Sequence, residues 1–196
     1  QILKAAETIN DAEFIIASGS LPPGVPLNIY AQLAKIVKNN NAKFIVDTSG
    51  GALKPAVDEG VYLLKPNLGE LSSLAGKKEL LPEEVKEVAA SIIANGKCEV
   101  MVVSMGAAGA MLVTKDGSKI ITPPAVERKS TVGAGDSMVA GIVFYLSQGH
   151  SITESVQYGV ACGTAATMNS GTELCKKEDA DKLFKLLSIT ALKNIL

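Results

Sequence analysis

Gly133-Ala134-Gly135-Asp136 is the stretch of this sequence best suited to chemistry. Glycines immediately before a helix leave the backbone N–H groups of its first turn unobstructed, and the helix dipole adds positive potential, so the segment is a ready anion site. Asp136 falls in that same first turn, where its carboxylate can face whatever the amides hold. A carboxylate beside an anion hole suits phosphoryl transfer to a hydroxyl: the Asp accepts the proton while the amides steady the transferring oxygens. Taken alone, the same residues serve equally well as a helix cap with glycines that permit close packing.

Other polar residues fall just after apolar runs. Phe14–Ala17, Phe44–Val46, Val61–Leu64 and Val100–Val103 read as buried strands. Ser20 follows the first, Asp47 the second, Lys65, Asn67 and Glu70 the third, and Ser104 the fourth. Helical patterns alternate with the strands: Ile2 to Ile9; a helix opened by Pro26 with Leu27, Tyr30, Leu33, Ala34 and Val37 on one face; Leu53–Val57; Leu68 to Ala75; and a longer helix opened by Pro82. A further strand at Met111–Val113 turns at Lys115-Asp116-Gly117-Ser118 into Ile120-Ile121. Helices close the chain at Ser137 to Leu146, Ile152–Met168 and Lys177–Leu187. Alternation of this kind predicts an α/β fold with a mainly parallel sheet flanked by helices on both faces. Ligands of such sheets bind beyond the strand C-termini, so Ser20, Asp47, Asn67, Glu70 and Ser104 share one rim.

Composition narrows the partners. Nineteen Lys and Arg nearly cancel twenty Asp and Glu, and no basic stripe points to nucleic acid or to a membrane surface. Cys98, Cys162 and Cys175 form no C-x-x-C pair and accompany a single His, which argues against a disulfide framework or a zinc site and makes the cytoplasm the expected compartment. Aromatic residues make up 4% of the chain and Trp is absent, whereas glycine is plentiful, a composition that builds sites from backbone groups. The chain starts at Gln1 and enters a helical stretch at once, which reads as a cut into a longer protein. His150 reads as a surface loop residue, and Cys162 and Met168 as core.

Four motifs in order resemble the phosphofructokinase B (ribokinase-like) family of carbohydrate kinases. Ser130-Thr131-Val132-Gly133-Ala134-Gly135-Asp136-Ser137 is similar to its C-terminal signature. Ser18-Gly19-Ser20-Leu21-Pro22-Pro23-Gly24 resembles the sugar-side loop of its phosphosugar branch, Lys65-Pro66-Asn67-Leu68-Gly69-Glu70 its K-P-N-x-x-E element, and Ser104-Met105-Gly106-Ala107-Ala108-Gly109 its S-x-G-x-x-G nucleotide loop. Asn169-Ser170-Gly171-Thr172 stands where the family closes its adenine and cation region. The likeness covers essentially the whole chain and is greatest to the minor-type bacterial 6-phosphofructokinase branch. Ser130 departs from the Asp that many members carry at the head of the signature.

The resemblance implies ATP-dependent phosphorylation of a sugar phosphate, with fructose 6-phosphate the expected acceptor and fructose 1-phosphate, tagatose 6-phosphate or a ribokinase-type substrate as alternatives. It makes Asp136 the catalytic base facing the substrate and Gly133, Ala134 and Gly135 the anion hole. ATP would be met by Lys65, Asn67, Ser104, Gly106 and Gly109, with Val160 and Thr164 near the adenine, and the sugar phosphate by Ser20. Mg²⁺ would be served by Asp47, Asn67 and Glu70 through water, and K⁺ by the backbone carbonyls of Ser130 and Val132 with Ala166, Asn169 and Gly171 opposite. Residues 1–196 would then be the C-terminal portion of a single domain, whose first strands, small β lid and most sugar contacts lie upstream. The whole protein is expected to be a homodimer, and this portion by itself inactive. By spacing alone, Asn67 and Glu70 could equally form a solvated helix face and Ser104–Gly109 a strand-connecting turn.

Two rival chemistries are disfavoured. Gly106-Ala107-Ala108-Gly109 lacks the first glycine of a dinucleotide fingerprint and leads into an apolar run rather than a helix. No G-x-x-x-x-G-K-[ST] occurs, which excludes the P-loop kinases. An inactive nucleotide-binding fragment is the non-enzymatic alternative.

Overall fold

The computed structural model describes residues 1–9 and 11–193. These fall into two compact units, one of Gln1–Met105 with Met111–Lys119 and the other of Gly106–Ala110 with Ile120–Leu196. A six-stranded sheet runs in chain order: β1 (Phe14–Ser18), β2 (Lys43–Asp47), β3 (Val61–Leu64), β4 (Cys98–Ser104), β5 (Ala110–Thr114) and β6 (Gly117–Ile121). The first four pair in parallel. Only Lys115 and Asp116 join β5 to β6, a connection that antiparallel neighbours alone permit.

Helices α1 (Ile2–Glu7), α2 (Ile29–Asn39), α3 (Leu53–Glu59), α4 (Leu68–Leu74) and α5 (Pro82–Ala94) are interleaved with the parallel strands. Register sets Val46, Leu64 and Met101 side by side on one face of the sheet, and Ile45, Leu63 and Val100 on the other. All six are buried, which is why these strands read as continuous apolar runs rather than alternating ones. Val46, Leu64 and Met101 share a core with Ala34 and Val37 of α2, Val57 of α3 and Ala89 of α5.

Some details differ from the sequence reading, among them the start of α6, at Ala134 rather than Ser137. Helix α2 starts at Ile29 rather than at Pro26, because Asn28 lies in the bridge region (φ −90°, ψ 9°) and caps the helix after a separate turn at Pro26. Leu27 is therefore left exposed, off the helix's apolar face. The run Phe14–Ala17 is also less buried than expected: only Ala17 is buried, and Ile16 is 44% exposed. The reason is its place in the sheet, where β1 pairs with β2 and forms the edge.

In the second unit, α6 (Ala134–Leu146) packs on α7 (Ile152–Thr167), and α7 on α8 (Lys177–Lys193). Bare backbone permits the first contact. A Cβ at Gly141 would lie 2.6 Å from Cys162 Sγ, one at Gly159 would lie 2.8 Å from the Met138 carbonyl and overlap Ile142, and one at Gly163 would lie 3.0 Å from the Ala134 carbonyl. Ser151 and Glu154 form a capping box at the start of α7. Tyr158 Oη donates to Asp181 Oδ1 at 2.8 Å, tying α7 to α8, and its phenol titrates above the usual range through burial and then through that bond. His150 is exposed, as expected, with its ring stacked on Tyr145. Cys162 is buried as read, whereas Met168, at the C-cap of α7, is half-buried.

The α6–α7 contact makes a quantitative claim. Gly159→Ala should destabilise the protein by about 1–3 kcal/mol, because the added methyl has only backbone and a packed Ile142 to displace. Gly69→Ala, on a helix with an ordinary 3.4 Å contact, should be neutral or stabilising. Thermal unfolding of both variants, followed by circular dichroism, checks the contrast; equal melting temperatures would remove the close-packing argument.

Candidate active site

In the first unit the polar residues line up along the C-terminal rim of β1–β4. Gly19 N–H donates to the Asp47 carbonyl at 2.9 Å, extending the β1–β2 ladder and bringing the loop that carries Ser20 alongside Asp47. The Gly19 carbonyl accepts from Thr48 Oγ1 at 2.8 Å and from Tyr30 Oη at 3.0 Å, so the turn is fixed while Ser20 stays exposed. Lys65 N–H donates to the Val46 carbonyl at 3.2 Å, and its ammonium meets Asp47 Oδ1 at 3.1 Å. Both side chains are largely buried, so each is the other's charge partner in a place where an unpaired charge would be costly.

Asn67 and Glu70 are engaged with each other. Asn67 Oδ1 accepts from Glu70 N–H, and Glu70 Oε2 from Asn67 N–H, both at 2.9 Å, forming a capping box that starts α4. Asn67 bridges to Ser104, whose N–H donates to the Pro66 carbonyl at 2.8 Å, so the end of β4 lies beside the start of α4. Among the described residues no group of three or more His, Cys, Asp and Glu side chains is arranged to hold a metal ion. Asn67 and Glu70 are joined to each other by the capping box, and Asp47 is paired with Lys65.

The second unit holds the Gly133–Asp136 segment. Gly133 is the N-cap of α6 in the left-handed conformation (φ 75°, ψ 0°). A Cβ there would be strained by the left-handed backbone, whereas its 2.7 Å approach to Leu174 Cδ2 meets only the tip of an exposed, movable side chain, so the backbone is the constraint that favours glycine. Helix α6 has no side-chain cap on its first-turn N–H groups, and Asp136 stands exposed in that turn. Two preceding residues brace the segment: Ser130 Oγ donates to the Gly171 carbonyl at 2.6 Å and accepts from Val132 N–H at 3.2 Å. Thr167 O accepts from Lys129 and Ser130 N–H groups, at 2.8 and 3.3 Å. The residues before α6 are thereby joined to the Ala166–Gly171 turn, where Asn169 Nδ2 donates to the Leu174 carbonyl at 2.8 Å.

Gly106, at φ 57°, opens a 3₁₀ turn, and Gly109 is enclosed, since a Cβ there would overlap the Ile121 carbonyl and lie 2.6 Å from Pro123. Val160 and Thr164 are buried on α7, with Thr164 Oγ1 donating to the Val160 carbonyl. The structure thus gathers Ser20, Asp47, Lys65, Asn67, Glu70 and Ser104 on one rim, and Ser130 and Val132 beside Gly171. Sequence reasoning missed Thr48 and Tyr30, which fix Gly19, and Leu174, which covers Gly133. Thr48 stands directly after Asp47 and Tyr30 only 11 residues beyond Gly19, yet neither side chain's bond to the Gly19 carbonyl shows in the apolar pattern, and Leu174 lies far along the chain from Gly133.

The pfkB family carbohydrate kinase model matches residues 1–179. The chain is 41% identical over 181 residues to the ATP-dependent 6-phosphofructokinase isozyme 2 of Escherichia coli, covering 92% of this chain and 59% of that protein. It is 34% identical over 180 residues to a 1-phosphofructokinase of Rhodobacter capsulatus, covering 92% and 57%. The crystal structure of phosphofructokinase-2 from Escherichia coli in complex with potassium superposes with a TM-score of 0.91 at 40% identity, over 96% of this chain and 61% of that one. The chain therefore spans about three fifths of the length of these relatives. Its fold is ribokinase-like, and the chain belongs to the pfkB family of carbohydrate kinases.

Proposed function

We propose that this chain supplies the phosphoryl-transfer machinery of an ATP-dependent kinase acting on a hydroxyl of a sugar phosphate, with fructose 6-phosphate as the acceptor. One observation carries the reading: α6 starts at a left-handed Gly133 with no side-chain cap, and an exposed Asp136 stands in the same turn. Asp136 takes the proton from the acceptor hydroxyl, and the Gly133, Ala134 and Gly135 amides hold the oxygens of the transferring group. Ser20 meets the sugar phosphate. Lys65, Asn67, Ser104, Gly106 and Gly109 border the nucleotide, with Val160 and Thr164 behind its base. When bound, ATP supplies the phosphoryl group, and Mg²⁺ with its waters offsets the phosphate charge. Asn67 and Glu70 orient those waters, while Lys65 keeps Asp47 in place.

A potassium ion suits the backbone carbonyls of Ser130 and Val132, with Ala166, Asn169 and Gly171 opposite, and the 2.6 Å bond from Ser130 Oγ to the Gly171 carbonyl supports that set by drawing the two segments together. The potassium complex of the Escherichia coli relative supports it too. We further infer that residues 1–196 form the C-terminal portion of one catalytic domain, that the whole protein acts as a homodimer in the cytoplasm, and that catalysis requires the portion of its relatives that this chain does not span. The Rhodobacter likeness favours fructose 1-phosphate as the second reading for the acceptor. Rates of ADP release with each sugar phosphate separate the two.

Three outcomes are expected. Asp136→Asn, in the protein completed by that remaining portion, should lower kcat by about 10²- to 10⁴-fold with ATP affinity nearly unchanged. A variant that keeps more than a tenth of kcat, measured by coupled ADP release, would refute Asp136 as the base.

Crystals of the chain soaked in sulfate should place an anion within hydrogen-bond distance of the Gly133–Asp136 amides. Anions found only at lysine or arginine side chains would overturn the anion hole.

Glu70→Gln should raise the Mg²⁺ concentration needed for half-maximal rate. Glutamine preserves the capping box, so the Mg²⁺ titration isolates the lost charge. An unchanged titration would leave Glu70 with the helix cap alone.

A further inference from the structure

Leu174 is an exposed leucine whose side chain turns back over the N-cap of α6. A Cβ built on Gly133 would lie 2.7 Å from Leu174 Cδ2, so that methyl rests against the side of Gly133 that any other residue would fill. The backbone of Leu174 is held while its tip is not. Its carbonyl accepts from the buried Asn169 Nδ2 at 2.8 Å, whereas the residue as a whole is 55% exposed. The turn on which it stands is joined to the chain ahead of α6 at two further places. Ser130 Oγ donates to the Gly171 carbonyl at 2.6 Å, and the Thr167 carbonyl accepts from the Lys129 and Ser130 N–H groups. These bonds set where the leucine stands relative to Gly133. Val132, another exposed aliphatic residue, directly precedes that glycine.

We propose that Leu174 is a positioning residue of the phosphoryl transfer, keeping water away from the Gly133 side of the turn that starts α6. The inference rests on the kinase reading above. More than half of the leucine remains in solvent, so its contact with Gly133 adds little to stability; what it changes is the surroundings of the first-turn N–H groups. Amide donors act on an anion more strongly where apolar surface stands in place of water.

The consequence is a partition between two nucleophiles. In productive transfer the acceptor hydroxyl oxygen bonds to the γ-phosphorus, its proton passes to Asp136, and the bond from that phosphorus to the bridging oxygen breaks, releasing ADP. Water can take the acceptor's place: its oxygen forms the new bond, its proton passes to Asp136, and the products are ADP and inorganic phosphate. Both reactions use the same donors and the same base, and differ only in what attacks. A side chain that offers neither charge nor hydrogen bond, and acts by governing water, shifts the balance between them.

The test uses the protein completed by the remaining portion of its relatives' length, with inorganic phosphate release and sugar phosphorylation measured side by side. Leu174→Ala should raise the ratio of ATP hydrolysed to sugar phosphorylated by on the order of tenfold, and lower kcat for transfer with KM for ATP nearly unchanged. Leu174→Met, apolar and of similar volume, should restore the wild-type ratio. Melting temperatures of all three proteins should agree within about 2 °C, because the position is largely exposed. A Leu174→Ala protein with the wild-type ratio would overturn the proposal and leave the kinase reading intact. So would a raised ratio that comes with a large fall in melting temperature, or one that Leu174→Met does not correct. A wild-type protein that phosphorylates no sugar phosphate would overturn the kinase reading, and this proposal with it.

Discussion

Access to backbone amides is the constraint on which the candidate site depends. A side chain at position 133 would need a left-handed backbone that suits glycine and would meet Leu174 as well. With that glycine the first turn of α6 begins without a side-chain cap, while the Ala134 N–H donates to the Thr131 carbonyl at 3.3 Å and Asp136 stands exposed in the same turn. Ser130 supports the same geometry by a different route, with one hydroxyl serving both the Val132 N–H and the Gly171 carbonyl. A serine hydroxyl donates as well as accepts, which an ionised carboxylate in its place could not do.

Helix α6 is positioned in turn by its close contact with α7. Gly141, Gly159 and Gly163 bring the two backbones together, and Gly163 approaches the carbonyl of Ala134, in the first turn of α6. Packing of that kind is stiff, because protein interiors yield little to added volume. The small residues of these helices therefore do structural work that reaches the turn of Gly133 and Asp136.

Most elements could be read from the sequence because strands buried on both faces leave continuous apolar runs and helices leave a 3.6-residue period. The departures have local causes: Asn28 takes a bridge conformation that shifts the start of α2, and β1 lies at a sheet edge, where Ile16 loses its cover. The site was legible as motifs but not as contacts. Nothing in the spacing of Asp47 and Lys65 announces an ion pair across two strands, and nothing in Asn67 and Glu70 alone separates a metal site from a capping box. Both residues carry the cap, which any metal role must accommodate. Leu174 stood in no motif, and its place over Gly133 depends on the turn after α7.

The pairing of Lys65 with Asp47 bears on ionic strength. At 3.1 Å and largely buried, the two charges cancel each other within the first unit, so neither projects a field far into solvent. In the second unit the amide dipoles at Gly133 act only over the first turn of a helix. With a formal net charge of −1, the chain has no large field to draw phosphates from a distance. Added salt, which screens charges beyond about 8 Å under physiological conditions, has little long-range attraction to remove here. Anion capture would accordingly be a contact process, set by fit at the turn rather than by steering.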